Sequence, residues 1–234
     1  MYPREDGPGY FERDSGHTPF FVDRKDAGRQ LAHELGAYRG KRALVLGLPR
    51  GGVPVAAEVA YALDADLDVI VARKLGAPTQ PELGIGAVTS DGTRFLNERL
   101  VRIVSASPAY IEQTAREEQA EARRRELRFR EGLPPLALSG RIVIIVDDGL
   151  ATGATMRAAI TAAHRAKPKK LVVAVPVGAV ETCEWLEGEV DHLVCPHQPD
   201  PFYSVGMYYR DFDQTSDDEV IELLHKHHAP ARAH

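Results

Sequence analysis

The stretch Arg141–Thr155, RIVIIVDDGLATGAT, decides how the rest of the chain is read. Ile142 to Val146 is an unbroken β-branched run of the kind that a strand covered on both faces requires, so Asp147 and Asp148 fall at its carboxyl end. In open α/β sheets ligands sit at that end. Gly149 and Gly153 permit backbone angles and close approaches that side chains forbid, and Met156–Ala163 reads as a helix rich in small residues. The free N–H groups of Gly149, Leu150, Ala151, Thr152, Gly153, Ala154 and Thr155, with the two threonine hydroxyls, can ring an anion at the positive end of that helix. The carboxylates cannot hold a phosphate themselves. They suit hydroxyl groups, or a metal that bridges to the ligand, so the segment fits a sugar phosphate.

A second strand–turn–helix unit supports the first. Leu44–Leu48 runs into Pro49, Arg50, Gly51, Gly52, Val53 and Pro54, and an alanine-rich helix follows, which is again an anion site. Asp68–Ala72 then reads as an apolar strand ending in Arg73 and Lys74, two cations placed to meet a pyrophosphate. Gly86–Asn97, with its Asp91-Gly92 dipeptide, reads as a hairpin. Around these, the spacing of Ala27, Leu31 and Leu35 marks a helix capped by Asp23, and strands and helices alternate: 43–48, 53–63, 67–73, a long helix 108–131, 141–147, 153–166, 170–176, 179–187 and 190–195. A last helix starts at Ser216, which forms a capping box with Glu219, and runs to about His225. This is an α/β pattern: an open, mostly parallel twisted sheet with helices on both faces. The expected organisation is a tail or cover segment over 1–22, a core over 23–195, and a closing segment with a capping helix over 196–234.

At 234 residues the chain can bury one good core, and its formal net charge of −5 argues against broad electrostatic binding to nucleic acid. Two cysteines, Cys183 and Cys195, have neither zinc nor redox spacing. The first residues include Arg4, Glu5 and Asp6 with no apolar signal core, which suggests the cytoplasm. The longest apolar stretch, Leu171–Val180, contains Pro176 and is far short of the ~20 residues a membrane helix needs, so no membrane partner is expected.

The long helix carries Arg116, Arg123, Arg124, Arg125, Arg128 and Arg130, which could suggest RNA. Glu112–Arg116, Glu121–Arg125 and Glu126–Arg130 are all i,i+4 pairs with the acid first, the arrangement of a self-supporting solvated helix. His225, His227, His228 and His234 lack an accompanying carboxylate set, so adventitious metal affinity is expected of them rather than a built site. The chain has no G-x-x-x-x-G-K-[ST] loop, no G-x-G-x-x-G after a strand, no H-E-x-x-H and no G-x-S-x-G elbow.

The hydrophobic strand, paired acids and T-G-x-T loop resemble the phosphoribosyl-pyrophosphate (PRPP) motif of type I phosphoribosyltransferases, and PRGG is similar to the pyrophosphate loop of the xanthine-guanine enzymes. The resemblance covers roughly residues 40 to 200. It implies transfer of ribose 5-phosphate from PRPP to a nucleobase-like acceptor, with Mg2+ as cofactor, in a homodimer. The 5-phosphate would lie on Leu150–Thr155, the ribose hydroxyls on Asp147 and Asp148, which would also hold the metal indirectly, and the pyrophosphate near Arg50, Gly51, Gly52, Arg73 and Lys74. Catalytic roles would fall to Asp147, Asp148, Arg50 and Lys74. The resemblance also implies a cis Arg50–Gly51 peptide, a mobile loop near the hairpin, and a hood over the base. Hood candidates are Pro176, Val177, Phe202, Tyr203 and Tyr208; the aromatics among them either stack the base or merely close the edge of the sheet. One departure is Ala151, where hypoxanthine-guanine enzymes place an aspartate. Some relatives keep this loop as PRPP-sensing regulators that bind nucleic acid or a protein partner without turnover, and that alternative stays open.

Overall fold

The computed structural model describes residues 19–228; the expectations for the N-terminal tail up to residue 18 and for His234 lie outside them. The β-branched runs form one parallel sheet. β1 (Leu44–Gly47), β2 (Asp66–Val69), β6 (Ile142–Val146), β7 (Lys170–Ala174) and β8 (His192–Val194) lie in the order β2-β1-β6-β7-β8. Between β2 and β6 the chain builds a separate antiparallel sheet from β3 (Ala72–Gly76), β4 (Gly84–Thr89) and β5 (Arg94–Leu96), followed by α3 (Glu98–Ile103) and α4 (Pro108–Phe129).

Side-chain alternation along the central strands feeds two cores. Val45, Ile144, Val146 and Val172 face Leu31, Val59 and Leu224, which come from α1 (Arg24–Glu34), α2 (Gly52–Leu63) and α7 (Asp217–His228). Leu46, Val143, Ile145 and Val173 face Met156, Ile160 and Leu186 of α5 (Ala154–Arg165) and α6 (Val180–Glu187). Because β6 is apolar on both faces, it must lie inside the sheet with helices above and below, as it does. α2 leaves β1 toward one face and α5 leaves β6 toward the other, so the carboxyl ends of these neighbouring strands form a topological switch point, where open α/β sheets bind ligands.

Several expectations require correction. The strand anticipated over 67–73 is two strands. β1 ends at Gly47, the Ile70 N–H makes the last bond to it at 3.2 Å, and the chain then leaves to pair with β4. Arg73 and Lys74 consequently lie inside β3, not at the end of a parallel strand. In α4 only Glu121–Arg125 of the three anticipated ion pairs forms. Glu112 accepts instead from Arg94 of the hairpin, and Arg130 reaches the buried Asp68 at 2.7 Å, so this helix docks on both sheets through its charges. α7 continues to His228, where His227 and His228 hydrogen-bond the carbonyls of Ala65 and Leu67 at 2.8 Å each. These contacts remove both from any adventitious metal set, and no group of three or more metal-ligating side chains exists among the described residues. Among those residues, too, no helix is long and apolar enough to cross a membrane.

Candidate active site

At the switch point, the loop after β1 lies directly on the end of β6. Pro49–Arg50 is a cis peptide, one residue earlier than the resemblance implied. Gly51 and Gly52 permit the approach: a Cβ on Gly52 would sit 2.7 Å from the Val146 carbonyl oxygen and 2.9 Å from Asp147 Cα, and one on Gly51 would overlap the Asp148 carboxylate. The two anticipated motifs are therefore a single surface.

Both carboxylates at its centre are half-buried and largely desolvated. Asp147 Oδ1 accepts the Asp148 N–H at 2.9 Å; burial first, and then the neighbouring Asp148 charge, push its pKa well above the usual carboxylate range. Burial raises Asp148 as well, opposed by the guanidinium of Arg24, whose Nε donates to Asp148 Oδ2 at 2.8 Å. Arg24 is a residue that sequence reasoning missed. It opens α1, donates also to the Asp213 carbonyl at 2.6 Å and lies 3.9 Å over the Phe212 ring. The Tyr209 hydroxyl donates to the Asp148 carbonyl at 2.5 Å. Both ends of the described chain thus converge on this acid.

Beyond Asp148 the turn is held from behind. The Leu150 N–H donates to the Val177 carbonyl at 2.9 Å, its carbonyl accepts from Ala179 at 2.8 Å, and the Thr182 hydroxyl donates to the Ala151 carbonyl at 2.6 Å. Gly153 adopts φ +69°, a left-handed angle that glycine tolerates, and caps α5 without any side-chain hydrogen bond. The first N–H groups of α5 are therefore open to an anion. Arg157, one turn further on, lies 3.7 Å over Trp185 and 5.0 Å over Phe95, with its Nε buried and unpartnered; burial lowers its pKa.

The anticipated pyrophosphate cations all face carboxylates. Arg50 lies 3.7 Å from Asp217, Arg73 bonds Glu118 at 2.6 Å, and Lys74 bonds Glu82 at 3.2 Å. Arg73 and Lys74 line a cavity of about 530 Å³ with Pro49, Tyr110, Glu117 and Glu118, which joins the loop after β1 to α4. Of the hood candidates, Val177 and Tyr208 are sealed in a cluster with Phe21 and Tyr209, and Pro176 is buried. Phe202 borders that cluster and Tyr203 is exposed. The cluster joins the chain ends, with Phe21 N–H donating to the Tyr208 carbonyl at 3.0 Å.

A family model described as "Phosphoribosyl transferase domain" matches residues 23–195, and the chain belongs to that family. Among its relatives are "Putative phosphoribosyl transferase Rv0571c" and "Putative phosphoribosyl transferase MT0597", from two strains of Mycobacterium tuberculosis, each 50% identical over 208 residues. That similarity covers 89% of this chain and 47% of each relative, so the chain spans about half the length of the curated relatives it matches. The crystal structure of TT1426 from Thermus thermophilus is similar in fold and sequence, with a TM-score of 0.75, 41% identity, and coverage of 88% of this chain and 98% of that one.

Proposed function

We propose that the chain transfers the ribose 5-phosphate moiety of PRPP to a nucleobase-like acceptor and releases pyrophosphate. The observation that carries this reading is the pair of desolvated, half-buried carboxylates at the switch point beside a helix start with no side-chain cap. The loop Gly149–Thr155 would take the 5-phosphate on the backbone N–H groups it leaves free, that of Leu150 being held by the Val177 carbonyl contrary to expectation, and Asp147 and Asp148 would accept from the ribose hydroxyls. Arg50, Arg73 and Lys74, with the Gly51 and Gly52 backbone, would hold the pyrophosphate, exchanging their carboxylate partners for it. Cations that bind the departing pyrophosphate better than the intact ligand lower the barrier to C1–O cleavage.

Two desolvated carboxylates fit a hard cation that completes its shell with ligand oxygens, which is how Mg2+ commonly binds beside phosphates. Asp147 and Asp148 would hold it, directly or through water, and it would neutralise charge on the leaving group. For the acceptor, the half-buried Phe202 and the exposed Tyr203 offer ring faces, whereas Pro176, Val177 and Tyr208 would reach a base only if the segment carrying Phe202–Phe212 lifts. The reading places the chain in nucleobase salvage, in the cytoplasm, as a homodimer.

The test is a screen of nucleobases with PRPP and Mg2+, reading pyrophosphate release. Paired titrations then locate the two phosphate groups. Gly153→Val should abolish binding of ribose 5-phosphate and PRPP alike, because its Cβ would strike Thr182 Cγ2 at 2.7 Å and its φ is left-handed, so the loop itself must shift. Lys74→Ala should weaken PRPP and spare ribose 5-phosphate. Equal losses for Lys74→Ala would refute the placement. Tight, salt-sensitive RNA or DNA binding without turnover, lost on changing Arg123, Arg124 and Arg125 to Ala, would favour the regulator instead.

A further inference from the structure

The two cysteines of this chain are separated in sequence and lie on different elements, yet the fold brings their sulfurs together. Cys183 is on α6 and Cys195 just follows β8, and both are free thiols. A Cβ on Gly178 would lie 2.8 Å from Cys183 Sγ and 3.1 Å from Cys195 Sγ, so both sulfurs occupy the space this glycine leaves open. Cys195 Sγ donates to the His197 carbonyl at 3.4 Å. Cys183 is buried, whereas Cys195 borders a shallow cavity of about 260 Å³, so a small solute would meet the pair from the Cys195 side.

The junction that holds the sulfurs also holds the phosphate loop. Gly178 pairs with Leu150 as a parallel bridge, and its N–H donates to the His197 carbonyl at 3.0 Å. Ala179, which accepts the Cys183 N–H at 3.0 Å, donates its own N–H to Leu150. Thr182, the residue before Cys183, bonds the Ala151 carbonyl. A disulfide requires an S–S separation of about 2.05 Å and a fixed dihedral. Closing it ties α6 to the segment after β8 in one geometry across Gly178.

We propose that Cys183 and Cys195 are a redox pair which hydrogen peroxide closes to a disulfide, and that closure deforms the loop at Leu150–Thr155. One sulfur takes an oxygen from the peroxide, giving a sulfenic acid and one water. The second sulfur attacks the first, and the expelled hydroxide leaves with the remaining thiol proton as a second water. The adjacent Cys195 thiol lowers the Cys183 pKa against the opposing effect of burial. The consequence for ligands rests on the assignment of this loop to the 5-phosphate, while the disulfide itself does not.

The full chain is treated with a small excess of hydrogen peroxide and compared with reduced chain and with Cys195→Ser. The oxidised chain should lose two hydrogen masses, yield one peptide pair linked through Cys183 and Cys195, and recover on reduction. Amide exchange over residues 150–157 should rise in the oxidised form and stay unchanged in peroxide-treated Cys195→Ser. Ribose 5-phosphate affinity should fall roughly tenfold or more, since small misplacements of a binding constellation are costly. Oxygen adducts with no linked peptide would overturn the pair. A linked peptide with unchanged exchange at 150–157 would overturn its coupling to the loop. Failure of the reduced chain to bind ribose 5-phosphate would instead count against the phosphate assignment, leaving mass and exchange to judge this proposal.

Discussion

Gly52→Ala separates the geometric account of the site from a purely local one. Gly52 is the first residue of α2, and a glycine-to-alanine change in a helix interior gains up to about 1 kcal/mol, less at a terminus. The new methyl would meet the Val146 carbonyl oxygen at 2.7 Å and Asp147 Cα at 2.9 Å, both backbone atoms of a strand end buried in the sheet. Neither can rotate away. To reach ordinary contact the loop after β1 must retreat by about 0.5–0.7 Å, and overpacking of this kind costs about 1–3 kcal/mol. Strain should win, with a net loss of about 1–2 kcal/mol and a Tm lower by about 2–8 °C for a domain of this size. The same displacement opens the gap between the pyrophosphate loop and the carboxylates, so PRPP affinity should fall by at least ~10-fold in a folded protein. Calorimetric unfolding and titration with PRPP measure both. Gly36→Ala is the control: a Cβ there meets nothing within 4 Å, and the change should stay within about 0.5 kcal/mol. A Gly52→Ala protein with unchanged or higher Tm and PRPP affinity within a factor of two would refute the close apposition of the two loops.

Asp147→Asn should stabilise the unliganded fold at neutral pH while weakening PRPP binding. The folded-state pKa of Asp147 lies above the ordinary value of 3.8, so between the two values the native state binds the extra proton and stability falls as pH rises. Tm measured against pH should show the Asn advantage at pH 7 and its disappearance below about pH 4, where the carboxyl is neutral in both states; a variant less stable than wild type at pH 7 would contradict the burial argument. Arg24→Leu should cost about 3–5 kcal/mol by stranding the Asp148 carboxylate, and Asp148→Asn in the same chain should recover much of it. Additive losses in that double-mutant cycle would show that the two side chains do not interact.

The legible part of this protein is the part encoded in consecutive residues. Ile142–Val146 announces a doubly covered strand through its unbroken branching, and the glycines after it announce a tight turn into a helix, because both signals are complete within one segment. The misread strand shows the limit of that method. Leu67 to Ala72 is continuously apolar apart from Asp68, and composition does not reveal that β1 stops at Gly47, so that the chain beyond Ile70 turns to β4 for its partner. Arg24 is further out of reach, since its partner lies 124 residues away and its only local mark is a place beside a helix cap. The cysteines fail the spacing criterion for the same reason: Gly178, which lets them meet, belongs to neither neighbourhood.

What the distant residues add is a charge balance that no single motif contains. Every cation assigned to the pyrophosphate is already matched, Arg50 with Asp217, Arg73 with Glu118 and Lys74 with Glu82, while Asp148 is matched by Arg24. If those cations take the pyrophosphate as proposed, binding is an exchange of partners, and its free energy includes the difference between two sets of ion pairs. The pairs differ in how readily they yield. Lys74 and Glu82 are 41% and 93% exposed, so their pairing is worth at most about 1 kcal/mol, whereas Arg24 and Asp148 are 12% and 15% exposed and resist separation. Lys74 can turn to an incoming pyrophosphate at little cost. Under the proposed assignment, Oδ1 of Asp148, which Arg24 does not hold, is the freer oxygen for a ribose hydroxyl, and Arg24 can stay in place as the hydroxyl arrives.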